Sequence, residues 1–237
     1  MSRVDATDYR THSQRRRFRA CHNPPVSSDT GVTSAPTQQR QADRERRPIA
    51  FAVLLVVLGV IGWIAAFALT LDKFASLSPG SEALGCDFSL LVQCSANLKS
   101  AQGAIFGFPN PLIGVAAWIA PIVVGAGLLA GARFDRWFWA LFNLGFVFAL
   151  GFVGWLIATS IFALGTLCPW CMLTWAVVIP GFWLVTLRNL REGVFPVPSG
   201  VSRFAAAAYG WTPFITLVCY LAIAVMAQVR LDVLSYL

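Results

Sequence analysis

The chain has 237 residues, of which 57% are hydrophobic and 12% charged, about half the charged fraction of an ordinary soluble domain. With a mean hydropathy of +0.66, it is excluded from water-soluble globular proteins, and the bilayer is its main solvent. The net charge of +7 sits in segments between apolar runs, where it bears on membrane orientation rather than on nucleic-acid binding.

Residues 1–48 come first and carry ten basic side chains, among them Arg15, Arg16, Arg17, Arg44, Arg46 and Arg47. Rich in Arg, Ser, Thr, Gln and Pro, they cannot bury enough surface to offset ordering entropy. A disordered basic tail close to anionic lipid is expected. The Arg15–Arg19 stretch stands too far from the first apolar run for a twin-arginine signal. The full length of that run favours an uncleaved helix over a signal-peptidase site at Ala66-Phe67-Ala68. Five apolar runs of roughly 20 residues, long enough to cross a hydrocarbon core, lie at 49–71, 112–131, 138–158, 161–187 and 207–229. The fold expected is all-α and polytopic.

Basic residues near span ends mark the cytoplasmic side. Arg133 and Arg136 follow the second run, Arg188, Arg191 and Arg203 follow the fourth, and with the tail they place fifteen of the eighteen basic residues on one side. The N-terminus is then inside and the C-terminus outside a cytoplasmic membrane, with the 72–111 connection and Cys168 on the outer face. The expected division is the tail 1–48, a helical core 49–190, and a linker, fifth helix and short outer tail over 191–237.

The 72–111 connection is too long for a simple turn. It holds Cys86 and Cys94, then Ser100, the apolar stretch Gly103–Phe108, and Asn110 between Pro109 and Pro111. Such a segment lies on the membrane surface and roofs the helices. Cys168-Pro169-Trp170-Cys171 sets two thiols one helical turn apart in the fourth apolar segment, where a helix N-terminus favours the thiolate. Four of six cysteines therefore fall on the oxidising face. Static disulfides or a four-thiolate zinc site are the alternatives to redox exchange. A Cys168–Cys171 bridge closes too small a ring to constrain the chain much, and the Cys86–Cys94 spacing is wide for zinc. Cys21 and Cys219 read as bystanders. The only histidines, His12 and His22, lie in the tail, which excludes bis-histidine haem in the bundle and histidine acid–base catalysis. No charged residue falls mid-span, which argues against a pump or channel. Gly125, Gly127 and Gly131 read as helix-packing positions rather than a phosphate loop.

Cys86 and Cys94 eight positions apart, Ser100 six further on, Asn110 at the mouth of a span, and Cys168-Pro169-Trp170-Cys171 followed by Thr174 resemble the vitamin K epoxide reductase family over about 49–190. The resemblance implies a four-helix transmembrane bundle around a quinone pocket, with a fifth helix added. It also implies loop cysteines that relay electrons from a thioredoxin-like partner to the CxxC pair. The acceptor is menaquinone or ubiquinone, with no metal, haem or flavin. About eight residues follow the fifth run, so the thioredoxin-like disulfide-forming partner is expected to be a separate extracytoplasmic protein. Trp175 stands where vertebrate members have tyrosine, and indole N–H donates but cannot accept.

In the expected mechanism the partner attacks the Cys86–Cys94 disulfide at Cys86, and Cys94 then attacks Cys168 and releases Cys171. Phe106, Trp118, Trp155 and Trp175 are the candidates for an apolar quinone pocket, with Trp175 either at the ring or packed against the helices. Asn110 donates a hydrogen bond to a quinone oxygen or caps the second helix, and Ser100 holds the loop or is a solvated helix position. Potentials set the direction: the quinone pool draws electrons from the partner. A membrane scaffold with structural disulfides leaves the CxxC at a helix start unexplained. A transporter for an apolar molecule is expected to show internal symmetry or broken helices, and neither is visible.

Overall fold

The computed structural model of the protein describes residues 35–78 and 84–236, with side chains described over 49–78 and 84–235. Tail positions 1–34, including His12, Cys21 and His22, lie outside the described residues. Helix α1 spans Ala35–Ala75 and α2 Ser95–Lys99. The second membrane segment is α3 (Pro111–Ala117) followed by α4 (Ile119–Leu129); α5 is Arg136–Ala158 and α6 Pro169–Arg191, and α7 (Ser199–Gly210) and α8 (Thr212–Leu231) complete the chain. Five segments are long and apolar enough to cross a membrane: Ile49–Ala75, Pro111–Leu129, Arg136–Leu164, Pro169–Arg191 and Thr212–Leu231. The protein is a helical multi-pass membrane protein. Among the described residues there is no strand, only an isolated parallel bridge between Val92 and Leu167.

Three boundaries depart from the sequence reading. Helical backbone in α1 begins at Ala35, inside the segment expected to be disordered. Gln, Arg, Ala and Glu, all good helix formers, extend the turn that the apolar run nucleates. The fourth helix starts at Pro169 rather than at 161, because α5 continues through a π turn over Thr159–Leu164. Gly165 then ends it with φ 66°, a conformation that a β-carbon would penalise. Proline at the first turn starts α6. The fifth run is cut at Trp211, where Pro213 opens a new helix.

Helix α6 packs against α1, α5, α7 and α8, and α1 against α3 and α4. The approach of α1 to the second segment is close because Gly62 lacks a side chain: a β-carbon there would sit 2.2 Å from the Trp118 ring. Of the three glycines expected to aid packing, Gly125 does so against Ala52 and Val56. Gly127 faces Phe134, and Gly131 serves the turn after α4 with φ 87°. The connectivity gathers the cysteines at one end of the bundle and Arg133, Arg136, Arg188, Arg191 and Arg203 at the other. At the arginine end, Arg188 lies over the rings of Phe51 and Trp139, 4.8 and 4.0 Å from their centroids.

Candidate redox site

Cys86 and Cys94 form a disulfide with Cα atoms 5.8 Å apart, and both are buried. Asp87 builds the loop around them. Its Oδ1 accepts the N–H groups of Cys94 at 2.8 Å and Ser95 at 3.1 Å, while Oδ2 accepts Leu84 N–H at 3.1 Å and the Ser95 hydroxyl. Burial pushes the Asp87 carboxyl up, but the hydrogen bonds from Ser95, Leu84 and Cys94 outweigh it and hold the group at about 2.

Two backbone bonds then dock this loop on α6. Leu167 N–H donates to Leu91 O at 2.8 Å, and Gln93 N–H to Leu167 O at 3.0 Å. Gln93 and Leu167 immediately precede Cys94 and Cys168, so the clamp sets these two cysteines side by side, with their sulfurs 3.5 Å apart. Cys168 is the N-cap of α6, and its sulfur accepts the Cys171 N–H at 3.4 Å. A hydrogen bond from the Cys171 thiol, aided by the N–H groups of Cys171 and Trp170, holds the Cys168 thiol below its ordinary range against the opposing effect of burial. Cys168 and Cys171 are unbridged. The end of α1 also reaches the loop: Lys73 Nζ donates to Leu98 O at 2.6 Å, and Asp72 Oδ2 lies 3.2 Å from Cys86 Sγ.

Cys171, half-buried one turn below Cys168, lines a cavity of about 680 Å³ that runs down the bundle to Phe134. Trp118, Trp175, Asn110, Ser100 and Thr174 also line it. Exposed Val123, Leu141 and Phe148 belong to its wall, so it reaches the lipid-facing surface between α4 and α5.

Asn110 is buried and makes no side-chain cap for α3. Its Oδ1 accepts Ile105 N–H at 3.2 Å and its Nδ2 donates to Gln102 O at 2.7 Å, leaving a second N–H of the amide for another acceptor. Ser100 holds its loop, accepting Gly103 N–H at 3.1 Å and donating to Asn97 O at 2.7 Å.

Two expected pocket residues do not line the cavity. Trp155 is 42% exposed, because the lining stripe of α5 follows Phe142, Gly145, Ala149, Phe152 and Leu156. At 100° per residue Trp155 falls beyond its edge. Phe106 is 52% exposed: the turn at Gly107, φ 81°, sets it outside against Phe108 and Phe152.

Asp72, Asp87, Asn97 and Ser160 were not singled out from sequence. Asn97 Nδ2 donates to Thr166 Oγ1 at 3.2 Å and Ser160 Oγ to Asn97 Oδ1 at 3.5 Å, which ties α2 to the π turn above the cavity. Only Asp87 carried a signal, its place beside Cys86. Asp72 Oδ2 and the sulfurs of Cys86 and Cys94 lie within 4.8 Å of one another, but the sulfurs are bonded to each other. In this oxidation state the carboxylate alone is left as an anionic donor.

A buried disulfide against an N-capping thiol, at one end of a membrane helix bundle, defines the class of membrane thiol oxidoreductases. A family model, the Vitamin K epoxide reductase family, matches residues 53–186, more than half of the chain, and the chain belongs to that family. No curated protein and no solved structure gives a significant match.

Proposed function

We propose that the protein reoxidises a separate thioredoxin-like, disulfide-forming protein outside the cytoplasmic membrane and passes the electrons to a membrane quinone, menaquinone or ubiquinone. The observation that carries this reading is the run of sulfurs, Cys86–Cys94 to Cys168 at 3.5 Å and on to Cys171 at the wall of an apolar cavity. The quinone is the two-electron acceptor.

The reduced partner attacks Cys86 and the Cys94 sulfur leaves toward α6; the partner's second thiol then closes the partner's own disulfide and frees Cys86. Cys94 attacks Cys168 of the oxidised Cys168–Cys171 pair, so the Cys94–Cys168 bond forms as the Cys168–Cys171 bond breaks; when Cys168 later leaves as thiolate, the helix N-terminus and the Cys171 N–H stabilise its charge. Cys171 is released facing the cavity, with Trp118 and Trp175 as apolar walls and the spare Asn110 N–H as a donor to a ring oxygen. The gap between α4 and α5 gives a lipid-soluble substrate its entrance. No protein metal, haem or flavin is required by these steps.

The test mixes purified protein with a reduced thioredoxin-like oxidase and either quinone, following quinone absorbance. Partner-dependent loss of absorbance, abolished by Cys171→Ser, is expected. Absence of turnover with both quinones would favour a membrane scaffold with structural disulfides.

A further inference from the structure

A disulfide sulfur carries no hydrogen, so in the oxidised loop Asp72 Oδ2 simply adjoins Cys86 Sγ at 3.2 Å. When the bridge is reduced, the Cys86 thiol gains a hydrogen that it can donate to this oxygen. Trp170, inside the Cys-Pro-Trp-Cys turn, packs against the buried cluster that contains the loop pair. Asp72 thus joins the end of α1 to the loop pair, and the start of α6 packs beside that pair. We propose that Asp72 orders the two loop thiols, keeping Cys86 protonated so that Cys94 alone carries the thiolate delivered to Cys168. This rests on the relay reading above and assigns a residue that the relay does not otherwise use.

The charges around the pair favour this order. A carboxylate in contact with a thiol opposes a second negative charge there. The other candidates are engaged elsewhere: Asp87 is committed to Cys94, Ser95 and Leu84, and the Lys73 ammonium to Leu98 O. From the start of α6, Cys168, Trp170 and Cys171 pack in the same buried cluster as the pair. The order matters because Cys168 lies beside Cys94.

The steps balance within the protein. Cys94 thiolate attacks Cys168; the Cys94–Cys168 bond forms, the Cys168–Cys171 bond breaks, and the electron pair leaves on Cys171. Cys86 then attacks Cys94, passing its proton to Asp72 Oδ2. The Cys86–Cys94 bond forms, the Cys94–Cys168 bond breaks, and the pair returns to Cys168. The structure has the bonding of that product, with the loop bridge closed and Cys168 free.

The experiment uses full-length Cys94→Ser protein reduced with a phosphine, with the alkylation rate of Cys86 followed by peptide mapping across the pH range where thiols ionise. Adding Asp72→Asn should move the rise to lower pH, so that Cys86 reacts about tenfold faster at neutral pH, the size of a one-unit shift. Adding Asp72→Glu should restore the parent profile. An unchanged profile in Asp72→Asn, or a rate changed by one factor at every pH as altered access would give, overturns the proposal. Because neither quinone nor partner takes part, this failure is distinct from failure of the quinone reading.

Discussion

The sulfurs exchange only if single side chains hold them in line. Asp87 is the first such residue. Its carboxyl is lowered from 3.8 to about 2, so its ionised form favours the folded loop. That contribution is complete above about pH 4 and is lost as pH falls through about 2. Asp87→Asn removes the charge that gathers Cys94 and Ser95 N–H, and thiol exchange should fall about tenfold, the weight of a lost charged hydrogen bond. The acid limit of loop protection against hydrogen exchange should disappear with it, as mass spectrometry at several pH values would read. Cys171 offers a second check. In Cys171→Ser, Cys168 has no thiol to bridge with, so its thiolate attacks Cys94 of the loop disulfide and Cys86 leaves; the Cys94–Cys168 bridge that forms cannot be resolved by Cys171 and should accumulate. Non-reducing peptide mapping detects it; finding Cys94 joined to Cys86 alone would count against the relay.

Among the elements, α6 holds the site, and its own flaw explains what packs on it. Pro180 lies inside the helix and has no N–H for the carbonyl of Ala176. Tyr220 of α8 supplies the missing donor, its hydroxyl reaching Ala176 O at 2.5 Å. Tyr220→Phe should therefore cost about 1–3 kcal/mol by thermal unfolding in detergent while leaving thiol exchange unchanged, since Tyr220 touches none of the four cysteines. A drop in exchange at intact stability would contradict this division. The opposite pattern is expected at Gly62. A β-carbon there meets the rigid Trp118 ring at 2.2–2.6 Å, and because Trp118 lines the cavity the ring can yield only by moving within it. Gly62→Ala should destabilise by about 1–3 kcal/mol and raise the KM for quinone, with exchange between the cysteine pairs preserved.

At the scale of the whole molecule, the apolar runs made all five crossings legible, because length and hydropathy alone decide whether a segment suits the bilayer. The cysteine spacing made the site legible in outline. The lining of the cavity was not: Phe106 and Trp155 are aromatic and close in sequence to the right elements, but whether they face inward depends on a turn at Gly107 and on the angular edge of the α5 stripe. The backbone clamp between Leu91, Gln93 and Leu167 was equally hidden, since it uses no side chain.

The orientation of the molecule is the last consequence of this architecture. The four redox cysteines occupy one end and the loop arginines 133–203 the other, and we propose from the positive-inside rule that the arginine end faces the cytoplasm. Leu90 is 86% exposed beside the loop bridge, and Arg133 is exposed in the opposite turn. A membrane-impermeant maleimide should label Leu90→Cys in intact cells and Arg133→Cys only after lysis. If the two labels exchange places, the cysteines face a reducing cytoplasm. The role in forming disulfides outside the cell membrane then fails, although the run of sulfurs to the cavity would stand.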